Sequence, residues 1–217
     1  MEAQFWINAW NEGRTNFHKE EFHDKLIQFY PELNVKAGQK VLVPLCGKSK
    51  DLLWLHDQGL NVHGLELYQN AVEAFFSENS LEGYNKFQDK DFIQYRYKNI
   101  VINCGDFFKL KARNEYDLIY DRASLVALPS EMRKMYAQIV TDALKVGGKY
   151  LLIVYEYDQK KLDGPPFSVD ADEVHKLYGD NFSIQLKESE RPIKENLKLV
   201  QHDHFKQTVY ILEKKEN

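Results

Sequence analysis

The chain has 217 residues, of which 43% are hydrophobic and 29% are charged, and its formal net charge is −4 at pH 7. This length favours one domain over residues 1–217 with a substantial buried core. The small negative charge, spread without blocks of like charge, argues against binding to nucleic acid or to an anionic membrane surface.

No apolar run approaches the roughly 18 residues of a membrane span, and the aromatic N-terminus lacks the basic and apolar regions of a signal peptide. Cys46 and Cys104 are the only cysteines in the sequence, which is too few for a disulfide framework. These features favour a soluble cytoplasmic protein with two reduced thiols.

Strands and helices alternate from about residue 39 onward, a pattern typical of an α/β fold with a mostly parallel sheet. An aromatic helix and a second helix over 22–30 precede this region and form a helical extension, 1–38. The predicted strands are 40–43, 61–66, 92–97, 100–104, 117–120, 150–155, 182–190 and 205–213. We expect the third and fourth to form a hairpin. The last two should pair antiparallel at one end of the sheet, because the segment between them is too short for a crossover helix.

The helices are predicted from capping residues and from the spacing of apolar residues. Ser49 can cap a helix that Gly59 ends, and an apolar-faced helix follows the second strand. The clearest helix begins at Ser130, with apolar residues at i, i+3, i+4 and i+7, and Gly147 lies where a left-handed C-cap is expected. A short helix is predicted over 170–178.

In an open α/β sheet, ligands bind beyond the carboxyl ends of the strands, near the point where the strand order reverses. Four segments follow predicted strands at that edge: 44–47, Glu66, 105–107 and 121–122. A carboxylate at the end of the second strand can accept hydrogen bonds from both hydroxyls of a ribose. The number of residues from Gly47 to Glu66 is close to that expected for a carboxylate that binds a ribose. The alternative is a solvated surface carboxylate.

Three nucleotide ligands compete for this edge. A dinucleotide site requires G-x-G-x-x-G, whereas this turn has one glycine, Gly47, after Pro44 and Leu45. The run 47–49 matches the end of a phosphate-binding loop, but the first glycine of that motif would fall at Leu42, inside the strand. S-adenosylmethionine carries no phosphate and needs a ribose carboxylate, an apolar slot for adenine and a turn that admits its amino-acid tail. Of the three ligands, only this one suits these residues.

Other catalytic arrangements are weaker. His18 and His23 lie near Glu20 and Glu21, but H-E-x-x-H is absent and a spacing of about five residues does not align two side chains on one helical face. We therefore expect surface or capping histidines and no metal site. The absence of a G-x-S-x-G elbow argues against a covalent hydrolase.

Motifs along nearly the whole chain resemble those of the thiopurine S-methyltransferase family. Phe5-Trp6, Trp10 and the run 13–18 are similar to the N-terminal signature of the family. The run 43–49 contains the Pro-Leu-Cys-Gly-Lys sequence that the family carries in place of a glycine-rich turn. Further blocks match in order at 64–66, 104–108, 120–123, 127–129, 157–158 and 164–167.

The resemblance implies a Rossmann-like class I methyltransferase fold. Its features are a mostly parallel seven-stranded twisted sheet with helices on both faces, an antiparallel C-terminal strand, and an N-terminal extension that covers cofactor and substrate. It also implies an enzyme that uses S-adenosylmethionine, leaves S-adenosylhomocysteine, and methylates the sulfur of a small aromatic or heterocyclic thiol of the thiopurine type. A monomer without nucleic-acid or membrane partners is expected.

The same resemblance assigns roles to individual residues. The expected cofactor-binding residues are Trp10, Leu45, Glu66, Gly105, Asp106 and Arg122. Phe17 would face the acceptor across the methyl group, and Pro166 would help to wall the pocket. Arg122 is also the candidate catalytic residue, because a permanent cation favours the thiolate form of the acceptor.

Each assignment has a purely structural alternative. The alternatives are Trp10 as a core anchor, Phe17 as a staple between helices, Leu45 as packing, and Arg122 as the partner of Asp121. The mammalian members of the family carry an arginine near the acceptor before the last strand, whereas 192–201 contains only Lys194 and Lys198 as cations. The identity of the methyl acceptor is therefore left open, and the alternatives are a thiopurine, another thiol, halide, and selenium or tellurium species. A cofactor-binding protein without transfer activity is the alternative from another class.

Overall fold

The computed structural model describes residues 3–15, 17–191 and 205–216. Within these ranges the helices are α1 (Ala3–Asn11), α2 (Asp24–Leu33), α3 (Asp51–Asp57), α4 (Gln69–Glu78), α5 (Ser130–Ala143) and α6 (Ala171–Tyr178). The strands are β1 (Lys40–Val43), β2 (Asn61–Glu66), β3 (Asn85–Gln88), β4 (Ile93–Tyr97), β5 (Ile100–Cys104), β6 (Tyr116–Arg122), β7 (Leu144–Glu156), β8 (Phe182–Glu190) and β9 (Lys206–Lys214).

All of these strands belong to one sheet, in the order β3-β4-β5-β2-β1-β6-β7-β9-β8. β1 pairs parallel with both β2 and β6, and β5 and β7 extend the parallel set on either side. The chain leaves β1 toward β2 and β5 and later returns to β6, so the strand order reverses at β1. The carboxyl ends of β1, β2, β5 and β6 therefore share one edge, called the rim below.

The parallel strands are buried on both faces, which is why they are continuous apolar runs. One apolar cluster, with Leu42 and Tyr136, lies between the sheet and the pair α5 and α6. The other, with Leu26 and Phe75, lies between the sheet and α2, α3 and α4. Helices on both faces of a mostly parallel sheet confirm the predicted fold class. Because Leu26 belongs to α2, the N-terminal extension shares this core.

The antiparallel parts of the sheet lie at its two ends. β9 pairs antiparallel with β7 and with β8, and β4 pairs antiparallel with β5, as predicted. The seven strands from β5 to β8 in the spatial order above form the predicted sheet, and β4 and β3 extend it at the β5 edge. β3 was not predicted, because its four residues are all exposed and show no apolar alternation.

The prediction that Gly147 is the C-cap of α5 is wrong. The helix ends at Ala143 and the chain enters β7 directly, with Leu144 already in the extended region at ψ 139. Gly147 has φ 72 and lies within β7, beside the break in register between Tyr116 and Leu118 of β6. Its left-handed conformation accommodates the irregular backbone at the start of β7. No helix of the described part of the chain is long and apolar enough to cross a membrane.

Candidate active site

The turn after β1 is fixed to the end of β2 by backbone contacts. Leu45 and Gly47 have φ values of 44° and 54°, so the turn uses the left-handed region twice. The amide of Cys46 donates to the carbonyl of Leu65 at 2.8 Å, and the amide of Gly47 donates to Glu66 Oε2 at 2.8 Å. The turn is therefore preformed, and its conformation is reached without a glycine-rich sequence.

Glu66 lies at the centre of the rim and is 7% exposed. Its Oε2 accepts from Gly47, and its Oε1 accepts from the amide of Tyr68 at 2.8 Å. Burial raises the pKa of Glu66, while the hydrogen bonds from these amides act in the opposite direction. The alternative of a solvated surface carboxylate is wrong. Each oxygen keeps a lone pair with which it can accept a further donor.

Gly105 and Asp106 lie beside Glu66 at the end of β5. The amide of Gly105 donates to the Glu66 carbonyl at 2.8 Å. A Cβ on Gly105 would approach the carbonyl oxygen of Asp91 and Cδ1 of Phe92 to 2.7 Å, so the close approach of the β3–β4 connection requires glycine here. Asp106 is exposed, and its Oδ1 accepts from the amide of Phe108 at 3.0 Å.

Trp10 brings α1 over the turn and over the end of β2. Its ring stacks on Tyr68 at 6.2 Å between centroids and meets Phe17 edge-on at 5.4 Å. A Cβ on Gly47 would lie 3.1 Å from Trp10 Cζ2, so this ring packs directly on the turn. Trp10 and Phe17 are thus neighbours at the rim and are both partly buried. Sequence reasoning missed Tyr68. The position of Tyr68, two residues after Glu66, is the signal that could have placed it at the rim.

Arg122 ends β6 on the other side of β1 from Glu66. Its Nε lies 3.2 Å from Asp51 Oδ2, its Nη1 donates to the carbonyl of Phe17 at 2.9 Å, and its Nη2 donates to Ser49 Oγ at 3.3 Å. The guanidinium therefore connects β6, the start of α3 and the segment that carries Phe17. Sequence reasoning gave Asp51 no functional role, since only the fold brings it to Arg122.

The alternative pairing of Arg122 with Asp121 is wrong. Asp121 points into the core, where its Oδ2 accepts from the hydroxyls of Tyr136 at 2.6 Å and Tyr150 at 2.8 Å. Burial raises the pKa of Asp121. Consecutive side chains of a strand point to opposite faces, so Asp121 stabilises the core while Arg122 remains at the rim.

Pro166 lies in the loop that follows β7. Its carbonyl accepts from the hydroxyl of Tyr157 at 2.5 Å, and the next amide, that of Phe167, donates to the carbonyl of Val126 at 2.6 Å. Val126 belongs to the turn that begins three residues after Arg122. The loop is therefore held against the turn that follows β6.

The two N-terminal histidines have structural contacts. His23 is 2% exposed and caps α2, because its Nδ1 accepts from the amide of Lys25 at 3.3 Å. His18 lies 3.4 Å from Glu20 and is partly buried, so it is not a surface residue. The capping prediction is confirmed for His23. Within the ranges that the structure covers, no group of three His, Cys, Asp or Glu side chains is arranged to hold a metal.

The two cysteines are unpaired and buried near the rim. Burial raises the pKa of Cys46 well above its ordinary value and raises that of Cys104 to about 11. Neither thiol is therefore ionised at neutral pH, and neither is activated as a nucleophile. Lys194 and Lys198, the cations noted before the last strand, lie outside the described residues.

A groove of about 500 Å³ lies on the face of the sheet over β4 and β5, and Trp10, Glu66 and Arg122 are not among its lining residues. It is open because the connection between β5 and β6 contains only the short 3₁₀ turn Phe107–Lys109 and no helix. Asn103 lines the groove, and its buried Oδ1 has no hydrogen-bond partner among the described residues. The site at the rim is thus identified by its polar groups and not by cavity size.

Comparison with solved structures identifies the class. The fold matches phosphoethanolamine N-methyltransferase 2 from Haemonchus contortus, with a TM-score of 0.69 and 15% identity over 89% of this chain and 53% of that one. It also matches 1,6-didemethyltoxoflavin-N1-methyltransferase from Burkholderia thailandensis, with a TM-score of 0.67 and 14% identity over 99% of this chain and 87% of that one. Both were solved with S-adenosylhomocysteine. The fold is that of a class I S-adenosylmethionine-dependent methyltransferase.

Sequence comparison identifies the family. The family model for thiopurine S-methyltransferase matches residues 1–215. The thiopurine S-methyltransferase of Azotobacter vinelandii is 41% identical over 99% of this chain and its own full length, and that of Pseudomonas fluorescens is 45% identical over 89% of this chain and 87% of its own. The chain therefore belongs to the thiopurine S-methyltransferase family and is an S-adenosylmethionine-dependent S-methyltransferase.

Proposed function

We propose that the methyl acceptor is the sulfur of a small aromatic or heterocyclic thiol of the thiopurine type. The observation that carries this proposal is the contact between Arg122 and Phe17, in which Nη1 donates to the Phe17 carbonyl at 2.9 Å. It fixes a permanent cation against the backbone of the residue whose aromatic side chain meets Trp10 at the rim. A flat ring that bears a thiolate needs these two neighbours, a face to pack on and a positive charge near the sulfur.

We propose that S-adenosylmethionine is held by Trp10, Leu45, Glu66, Gly105, Asp106 and Arg122. The residues present fit this ligand. Glu66 is a buried acceptor that can take both ribose hydroxyls, and Gly47 lacks the Cβ that would fill the space under Trp10. Asp106 can accept from the exocyclic amine of adenine. When bound, the cofactor supplies a methyl carbon that its sulfonium has already activated.

The residues of the chain then exclude water and favour the deprotonated form of the acceptor. Trp10 and Phe17, in edge-on contact, exclude water from the acceptor side of the rim, and Pro166 closes that side from the β7 loop. Arg122 favours the deprotonated acceptor, because a guanidinium stays charged at every relevant pH. The face of an aromatic ring near the sulfonium of the cofactor would contribute about 0.5–2 kcal/mol. No covalent nucleophile is required, in agreement with the raised pKa of both thiols.

A panel of acceptors tests the proposal. Purified protein would be incubated with methyl-labelled S-adenosylmethionine and, separately, with a heterocyclic thiol such as 6-mercaptopurine, an aliphatic thiol, iodide and selenite. We expect the heterocyclic thiol to give the highest kcat/KM, with the label on sulfur by mass spectrometry. Higher turnover with iodide, selenite or the aliphatic thiol would refute the proposed acceptor class while leaving methyl transfer intact.

We further propose that the enzyme acts as a cytoplasmic monomer on a freely diffusing small molecule, without a nucleic-acid partner. The net charge of −4 argues against a nucleic-acid partner, and the two buried, unpaired cysteines suit a reducing compartment.

A further inference from the structure

Asp51 is a buried carboxylate at the first position of α3 that the proposed chemistry does not use. It is 2% exposed and accepts hydrogen bonds from three donors. The His23 amide donates to Oδ1 at 2.8 Å, the Tyr120 hydroxyl donates to Oδ2 at 2.9 Å, and Arg122 Nε lies 3.2 Å from Oδ2. These donors come from the N-terminal segment and from β6, two parts of the chain that are far apart in sequence.

The same network continues through Arg122 to Phe17. Arg122 Nη1 donates to the Phe17 carbonyl, and Nη2 donates to Ser49 Oγ, which in turn accepts from the amide of Asp51 at 3.2 Å. The segment 17–23 is thus attached at both ends: at Phe17 through Arg122, and at His23 directly to Asp51. Its aromatic end contacts α1, because Phe17 meets Trp6 and Trp10 edge-on at 5.8 and 5.4 Å.

Simple charge compensation does not explain this arrangement. A buried ion pair is weak evidence of stabilisation, because desolvation offsets the attraction between its charges. Neutralising Arg122 would require one carboxylate oxygen, whereas Asp51 uses its other oxygen to hold the backbone of a second segment. The contact with His23 is to the main chain, so it fixes the path of the segment whatever side chain it carries.

We propose that Asp51 is a positioning residue that couples the segment 17–23 to the orientation of Arg122. One carboxylate contacts both the guanidinium and the His23 end of the segment whose other end carries Phe17. This inference rests on the proposed acceptor-side roles of Arg122 and Phe17. Loss of the anchor should therefore impair acceptor binding and transfer, and should leave the cofactor side around Glu66 intact.

The test follows the emission of Trp6 and Trp10. Trp54 would first be replaced by Phe, which leaves these two as the only tryptophans and keeps an aromatic ring against Tyr30. In this background Asp51→Asn removes the charge, Asp51→Glu keeps the charge on a longer arm, and Tyr120→Phe removes one donor to Asp51 but keeps the ion pair. Acrylamide quenching is measured without cofactor or acceptor, so it reports on the segment even if the proposed function fails.

We expect Asp51→Asn to raise the quenching constant about threefold, Asp51→Glu to raise it less, and Tyr120→Phe to leave it at the parent value. In turnover assays Asp51→Asn should raise the acceptor KM and lower kcat at least tenfold, and should weaken cofactor binding by a smaller factor, because Arg122 is also a proposed cofactor contact. An unchanged quenching constant in Asp51→Asn, or an equal rise in Tyr120→Phe, would overturn the proposal. If Asp51→Asn does not fold by circular dichroism, the difference between Asp51→Glu and Tyr120→Phe decides in the same way.

Discussion

The two halves of the rim are built in different ways. Around Glu66, on the half proposed to bind the cofactor (the cofactor half), the contacts are made by backbone amides of the adjacent turns at Gly47, Tyr68 and Gly105. Around Arg122, on the half proposed to face the acceptor (the acceptor half), the guanidinium reaches residues 71 and 105 positions away, Asp51 and Phe17. Backbone contacts tolerate changes of side chain, whereas a side-chain network depends on each member. The acceptor half is therefore the part in which specificity can change while cofactor binding is retained.

The largest effect that would test this contrast is expected for Glu66→Gln. An amide can accept only one of the two ribose hydroxyls that a carboxylate accepts. Hydrogen bonds to a charged group are each worth about 1.5–3 kcal/mol, so loss of one should lower the affinity for S-adenosylmethionine by about 10–150-fold. Isothermal titration calorimetry measures the change, and an affinity within threefold of wild type would contradict the role of Glu66.

The stability of the same variant provides its control. Because burial raises the pKa of Glu66 in the folded protein, this carboxylate favours folding most at low pH and loses that contribution as the pH rises through its folded value. At neutral pH Glu66→Gln removes a desolvated charge but leaves the amide of Gly47 or of Tyr68 without its acceptor, so the free energy of unfolding should fall by no more than about 3 kcal/mol. A larger fall in the free energy of unfolding, measured by urea denaturation, would mean that affinity was lost through misfolding.

A smaller effect is expected for Arg122→Lys, on the acceptor half. Lysine keeps the charge but cannot bind Asp51, Ser49 and the Phe17 carbonyl at once, because it lacks a planar fork of donors. We expect kcat to fall by about 10–50-fold, and cofactor affinity to fall by a smaller factor, because Arg122 is one of several proposed cofactor contacts. Single-turnover rates with labelled cofactor separate transfer from binding. Turnover equal to wild type at every pH would show that a point charge suffices.

The smallest effect concerns pH and the N-terminal segment. Burial, and next the charge of Arg122, hold the pKa of His23 well below its ordinary value of 6.5. The folded state therefore resists protonation, and stability is lost as the pH falls below 6.5. Between about pH 6.5 and 5.5 the loss should be about 1 kcal/mol for one such group.

His23→Asn is the matched variant, because asparagine caps a helix but does not titrate. Its unfolding free energy should vary less over the same pH interval, as measured by urea denaturation. An identical pH dependence in the two proteins would assign the acid sensitivity to another group.

The sequence was sufficient for the parts of the fold that rest on local patterns. Continuous apolar runs predicted the parallel strands, and helical spacing after Ser130 predicted α5. Glu66 could be placed at the rim because the end of a strand fixes where its last side chain lies. β3 was missed because Asn85–Gln88 buries nothing, and Gly147 was misassigned because a left-handed glycine also serves an irregular strand.

The acceptor half could not be predicted in the same way. The partner of Arg122 was expected next to it, at Asp121, but a strand turns neighbouring side chains to opposite faces. Its actual partner, Asp51, is brought there by α3, and Phe17 contributes a carbonyl, for which no residue type is diagnostic. Contacts of this kind follow from tertiary structure alone.

The open groove beside β5 has a consequence for how this protein could acquire new parts. Since the connection over 105–115 crosses the sheet with no helix, extra residues inserted near its exposed Lys111 and Arg113 would find an unfilled surface on which to pack. Such an insertion would cover Asn103. It would lie beyond Gly105, whose amide is held by the carbonyl of Glu66. An additional layer with a new surface for recognition can therefore be added to this fold without replacing Trp10, Glu66 or Arg122 at the rim.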